Sequence, residues 1–242
     1  MPMGEKILSE KQIQRRVLFD KITFVLIAIF LALSTLFSVT LIFQKTYFEI
    51  KWINGQSMYP TFNADAVDRY GHIKGKTGGK ANNGDKNLDC VIWDGHQATF
   101  DRLERFDIVI ASQPNNPSRD LIKRVLVMPG ETFYFGSGDD NGSLYLQTKN
   151  GEFEKVNQPV QQEYVLEGSY VGYQTPTTLG KNEYFICGDN RGYSSDSRSF
   201  GPVPRQDIAG IVVAVIGTAD TTLSGGEVVY TNLRIGWPRW IK

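Results

Sequence analysis

The chain has 242 residues, with 26 Lys and Arg against 26 Asp and Glu. A net charge of zero supplies no field to draw it to nucleic acid, and two cysteines, Cys90 and Cys187, are too few for a disulfide scaffold. The length beyond residue 43 is enough for one well-buried domain.

The first predicted element is an anchor. Residues 22–43 carry no charge, and 22 residues at 1.5 Å each span about 33 Å, the thickness of a bilayer's hydrocarbon core. The run is too long for a cleaved signal peptide and ends in Leu41-Ile42-Phe43-Gln44-Lys45, with no small-x-small site. Lys6, Lys11, Arg15, Arg16 and Lys21 precede it, among Glu5, Glu10 and Asp20. That bias predicts a cytoplasmic tail over 1–21, an anchor over 22–43 and an extracytoplasmic domain over 44–242.

After the anchor the chain reads as β structure. Residues 48–53 alternate and are rich in strand formers. Ser57 follows, between Asn54-Gly55-Gln56 and Pro60, the composition of a constrained turn; taken alone it is an ordinary turn serine. Residues 63–104 form a polar insertion. Within it Asp85, Asn87 and Asp89 have the opening spacing of a calcium loop, but Cys90 stands where that loop needs glycine and His96 where it needs glutamate, so a solvated loop is expected. His72 and His96 lie in the same polar stretch.

Residues 106–111 predict a strand, 112–120 a loop with two prolines and two asparagines, and 121–127 a returning strand. Lys123 shares a strand face with Leu121, Val125 and Val127. An ordinary lysine is protonated at neutral pH; to accept a proton it must be brought from about 10.4 to about 7–8, which an apolar site can do. The plain alternative is a strand-edge lysine reaching water. Further strands are expected at 144–146, after a tight Asn150-Gly151 turn near Phe153, at 184–187, 208–216 and 227–231. A smaller β subregion is expected over about 131–182. Cys187, in Tyr184-Phe185-Ile186-Cys187, reads as a buried thiol or, in an oxidising space, as one end of a single bridge to Cys90. Gly188-Asp189-Asn190-Arg191 has turn composition with an Asp–Arg pair. Trp237 and Trp240, beside Pro238 and Arg239, suit either a membrane interface or packing on the β core.

Together these blocks resemble the bacterial type I signal peptidases, Ser-Lys enzymes that cut signal peptides from secreted proteins. Ser57-Met58-x-Pro60-Thr61 matches the nucleophile box, Arg105-Phe106-Asp107-Ile108-Val109 a strand box that often has glycine where Phe106 stands, and Lys123-Arg124-Val125 with Pro129-Gly130-Glu131 the general-base box. Gly188-Asp189-Asn190-Arg191 through Ser194, Asp196, Ser197, Arg198, Gly201, Val203 and Pro204 matches the last box. The resemblance implies a mostly β, antiparallel ectodomain behind one transmembrane helix. It implies Ser57 as nucleophile, Lys123 as base and Ser194 as the hydroxyl that orients the lysine, with Asp196 and Arg198 holding that loop beside Gly188, Asp189 and Asn190. Gly55 stands where some members have a serine that helps the oxyanion hole; the glycine and the single anchor resemble Gram-positive members, and imply a hole that relies on backbone N–H groups, chiefly that of Ser57. Ile53 and Ile122 match positions that line pockets for small residues, or are core packing. The resemblance further implies no metal or cofactor, and as partners secretory preproteins, membrane lipid and the secretion translocon, with no nucleic acid. Its rivals are a self-processing Ser-Lys peptidase and a catalytically silent relative serving in assembly; the anchor weighs against the first, and the presence of both Ser57 and Lys123 against the second.

Overall fold

The computed structural model describes residues 9–77, 80–96, 102–114, 116–160 and 170–241. Parts of the N-terminal tail (1–8), the polar insertion (78–79, 97–101), the 112–120 loop (115) and the smaller β region (161–169) lie outside them. The chain divides into two units, Met1–Thr46 and Tyr47–Lys242.

The first unit is a helix. α1 (Glu10–Tyr47) opens with a reciprocal cap: the Gln12 amide donates to Ser9 O and the Ser9 amide to Gln12 Oε1 at 2.9 Å. Within it Glu10–Ile42 is long and apolar enough to cross a membrane, by length and composition. Three of its hydroxyls suit an apolar solvent, because Thr35, Ser38 and Thr40 each donate to a carbonyl three or four residues back.

The second unit is mostly antiparallel β. Its larger sheet runs in the order β1 (Phe48–Trp52), β2 (Leu88–Asp94), β11 (Ile208–Ser224), β3 (Ile108–Gln113), β4 (Asn116–Val127), β9 (Glu183–Cys187), β10 (Val203–Pro204), with β12 (Glu227–Trp240) paired to β11. A smaller sheet has β7 (Phe153–Lys155), β6 (Leu144–Gln147), β5 (Thr132–Phe135) and β8 (Thr177–Thr178). Gly151, at φ +87°, makes the β6–β7 turn that Asn150-Gly151 suggested. Phe133, Phe135, Tyr170 and Phe185 join this sheet to β9 in one apolar cluster, while Ile53, Met58, Phe62, Ile108 and Ile110 form another beneath the serine block.

Three sequence expectations need correction. The polar insertion is not a solvated loop: it supplies β2, whose Leu88–Val91 half is buried and which pairs with both β1 and β11. Asp85 and Asp89 of the insertion are buried too, and Asp85, 1% exposed, lies 2.7 Å from the buried Lys74. The 112–120 loop is shorter than its prolines suggested, since pairing resumes at Gln113↔Asn116 and Ser112↔Asp120 across a register shift. The last strand runs far past residue 231, to Trp240; among the described residues it pairs on one side only, and such an edge tolerates Pro238. Trp237, 97% exposed, and Trp240 do not pack on the core. Cys90 and Cys187 are buried and unbridged.

Candidate active site

β1 delivers the chain to the serine block, and the block is fastened on both flanks. Ile53 N donates to Asp89 O, and Met58 and Phe62, each 1% exposed, sink into the core on the far side of Ser57. Turn bonds Tyr59 N to Gln56 O and Phe62 N to Met58 O close the curve between them. Ser57 is therefore held at a bend whose neighbours cannot shift without opening the core.

Lys123 arrives from β4, where its backbone pairs with Val109 of β3. Its Nζ lies 2.8 Å from Ser57 Oγ and 2.9 Å from Ile122 O, and the residue is 2% exposed. A proton can pass between serine and lysine at that separation. An ammonium so buried loses most of its hydration.

The segment after β9 backs the serine. Asn190 N donates to Ser57 O at 3.0 Å and Asn190 Nδ2 to Gln56 O at 3.2 Å. Gly188 passes so close that a Cβ there would lie 2.4 Å from Ser57 O and 2.2 Å from Ser194 Oγ, so only glycine fits. Asp189 takes both Nε (2.8 Å) and Nη2 (2.7 Å) of Arg124 in a buried bidentate pair and also accepts from Thr61 Oγ1. Through Thr61 the pair reaches the serine block, and through Arg124 Nη1, which donates to Phe106 O, it reaches the start of β3.

Asp196 organises the rest of the segment. It accepts from Gly188 N at 2.9 Å and from Arg198 Nε and Nη2 at 2.7 and 2.8 Å. Burial pushes its carboxyl up, but the Arg198 bonds outweigh that and hold it below the usual range. Arg191, also buried, donates to Gly188 O, to the Tyr170 hydroxyl and to Gln158. Ser194 differs from expectation. Its hydroxyl lies near enough to Asp196 to help hold that carboxylate charged, yet it is buried without a hydrogen bond of good geometry, to Lys123 or to any other group.

Other nucleophiles and bases fall away. Burial pushes the Cys90 thiol up to about 11 and the Cys187 thiol further still. His72 pairs with Asp68 at 3.1 Å, and neither it nor His96 lines the cleft at Ser57. Asp85, Asn87 and Asp89 take separate partners, respectively Lys74, Arg234 and Asn63, and do not converge as calcium ligands would.

That cleft has a volume of about 520 Å³ and holds Ser57, Lys123, Ile53 and Ile122 with Ile110 among its lining. Sequence reasoning missed the residues that shape it from a distance. Asn63, in the left-handed region at φ +57°, donates from Nδ2 to the carbonyls of Ile53 (3.0 Å) and Gly55 (3.1 Å) and exchanges two bonds with Asp89. Ala81 N donates to Asn54 O, so the insertion docks on the serine block. Arg239 of β12 reaches Thr61 O at 3.2 Å. The signal for Asn63 was present: Asn is the non-glycine residue that most readily enters that region and bonds backbone while there.

Comparison with known proteins places the chain among relatives of one family. Residues 21–217 match the family model described as signal peptidase, peptidase S26. Signal peptidase I V of Bacillus subtilis is 37% identical over 122 residues, and the probable signal peptidase I-1 of Synechocystis is 34% identical over 90. These matches cover 47% and 37% of this chain, and the chain spans 66% and 38% of those relatives. A crystal structure of a signal peptidase I from Enterococcus faecalis aligns with 27% identity and a TM-score of 0.33, over 45% of this chain and 95% of that one.

Proposed function

The chain belongs to the signal peptidase family, peptidase S26, and from that premise we propose that it is a membrane-anchored serine endopeptidase that removes N-terminal signal peptides from secreted preproteins. The observation that carries the reading is the 2.8 Å contact between Ser57 Oγ and a lysine amine that is 2% exposed. Neutral Lys123 takes the serine proton as Oγ attacks the carbonyl carbon of the residue before the cut. The backbone N–H of Ser57 stabilises the oxyanion, in keeping with Gly55 two residues earlier, which has no hydroxyl to offer. Lys123, now an ammonium, gives its proton to the departing amine and leaves an ester on Ser57. It then takes a proton from water, the hydroxide attacks the ester carbonyl, and the proton returns to Ser57 Oγ as the peptide acid leaves.

An extended peptide suits the cleft. Among the described residues β1 pairs with β2 alone, and residues 120–123 of β4 pair with β3 on one side only, so two strand edges flank the cleft and can take up an added strand. Ile53 and Ile122 leave shallow space beside the dyad, which fits small residues such as alanine at the first and third positions before the cut. The apolar helix α1 would hold the domain at the outer face of the bilayer, where preproteins leave the translocon, with its N-terminus in the cytoplasm; exposed Leu233, Ile235, Trp237 and Trp240 on β12 suit the lipid interface. The test is to incubate the full chain in detergent with a secretory preprotein and map the products by mass spectrometry. One cut after a small residue, absent with Ser57→Ala, is expected; no cut, or a cut that survives Ser57→Ala, would overturn the reading.

A further inference from the structure

The cleft is crossed at one end by an ion pair. Lys51 Nζ of β1 lies 2.5 Å from Asp120 Oδ2 of β4. The two residues are 69 apart in sequence and stand on the two strand edges that flank the cleft. Among the described residues this is the ion pair that joins those edges. The Lys51 ammonium also lies 5.9 Å from the centre of the Trp93 ring. Lys80, brought in by the docked insertion, lines the same cleft and makes no ion pair among the described residues.

The position along the cleft follows from both strands. On β4, Asp120 precedes Lys123 by three residues, about 10 Å of extended chain. On β1, Lys51 precedes Ile53, and Ile53 precedes Ser57. Moving away from the dyad, the cleft therefore presents Ile122 and Ile53 and then Asp120 and Lys51. If the residues before the cut lie against the isoleucines, the pair meets the substrate farther towards its N-terminus. This step rests on the reading given under Proposed function.

We propose that the Lys51–Asp120 pair is a specificity-determining strap that a bound peptide must part, and that it reads the charge of the fourth or fifth residue before the cut. Two cations, Lys51 and Lys80, face one anion, Asp120, so an acidic substrate side chain is favoured there over a basic one. Lys51 and Asp120 are 33% and 52% exposed in their side chains, and solvent screens them; a preference of about 2- to 5-fold is the expected scale for such contacts.

The experiment uses the full chain in detergent and synthetic peptides carrying one Ala-x-Ala cut site, with Asp, Asn or Lys at the fourth or fifth position before the cut. The quantity read is the ratio of kcat/KM for the Asp peptide to that for the Lys peptide. That ratio is independent of the fraction of enzyme that is folded. The wild-type ratio should exceed one. Lys51→Gln should bring it to about one, Lys51→Glu below one, and Asp120→Asn should raise it. Opposite movements by the two partners are what a charge reader gives; a pair that merely braces the strands would leave the ratio unmoved. A ratio near one in the wild type, or one that moves the same way in both variants, overturns the strap. Absence of cleavage of every peptide, including the Asn series, instead sinks the peptidase reading beneath it.

Discussion

Ser57 Oγ and Lys123 Nζ lie 2.8 Å apart, although the two residues come from a turn after β1 and from the middle of β4. Neither hydroxyl nor amine is useful alone, so they should behave as one unit. Ser57→Ala and Lys123→Met should each lower kcat by at least about 10³-fold, and the double variant should be no worse than either. Methionine keeps the buried volume of the lysine stem, so folding should persist. His72→Ala and His96→Ala, outside the cleft, should keep most activity. Preprotein cleavage assays on the five proteins decide it; a histidine variant as impaired as Lys123→Met would refute the dyad.

The Asp196–Arg198 pair predicts an unusual pH signature. Arg198 holds the Asp196 carboxyl below its ordinary range despite burial. A depressed carboxylate contributes stability above the unfolded value, about 3.9, which is lost as pH falls through the lower folded value. Arg198→Met removes the partner, and burial then dominates, so the carboxyl rises instead. A raised carboxyl costs stability at high pH and ceases to cost it once protonated. The variant should lose about 3–5 kcal/mol at pH 7, and the gap to wild type should narrow as pH falls towards 4. Denaturant unfolding at several pH values tests this; a gap independent of pH would show that Asp196 is not charged in the folded protein.

Legibility in the sequence followed locality. The anchor, the serine turn and the lysine strand each declare themselves within a few residues, by apolar length, turn composition and apolar alternation. What stayed hidden depends on partners far along the chain. β2 is a short apolar run inside a polar insertion, and only its pairing with β1 and β11 makes it a central strand. Lys51 and Asp120 are unremarkable until the curled sheet faces them across the cleft. Ser194 shows the converse: motif position predicted a bond to Lys123, but its hydroxyl sits over Gly188 instead. Phe106 was noted as a departure from glycine without its consequence.

That consequence is backbone strain. Phe106 has φ +77°, where a bulky side chain is disfavoured by about 1–2 kcal/mol and glycine is not. Its ring packs against the cluster of Leu126, Val127 and Phe185, which keeps it there. Phe106→Gly and Phe106→Ala both lose that packing, but only alanine also keeps the strain. Glycine should therefore be the more stable of the two by about 1 kcal/mol, reversing the order usual in regular structure. Thermal unfolding of the pair tests it; alanine above glycine would mean that the left-handed conformation is not retained.

The proposed topology can be tested without enzymology. With α1 spanning the membrane and the domain outside, protease added to spheroplasts should digest sequence beyond Lys45 and spare residues 10–21. Detection uses tags at either end. Protection of the C-terminal tag in sealed spheroplasts would reverse the orientation, since the basic residues of the tail are what argue for it.

Asn63 links the insertion to the serine block. Its Nδ2 holds the carbonyls of Ile53 and Gly55, just ahead of Ser57, and its Oδ1 accepts from Asp89 N at 2.8 Å. Asn63→Ala leaves these buried groups unpaired and places alanine at φ +57°, for a loss of about 2–4 kcal/mol. Asn63→Gly removes the strain but restores no bond, so it should recover part of the stability and none of the activity. Displacing Ser57 by even 1 Å is worth about 10²-fold in rate, and the loss should fall on kcat more than on KM, because the cleft walls remain. Asn63→Asp keeps an acceptor but sets a second carboxylate against Asp89, whose own carboxyl burial already pushes up. Two carboxyls in one buried site share a proton more readily at low pH, so this variant should be more stable at pH 5 than at pH 7. Equal kcat in wild type and in both the alanine and glycine variants would reduce Asn63 to a packing residue.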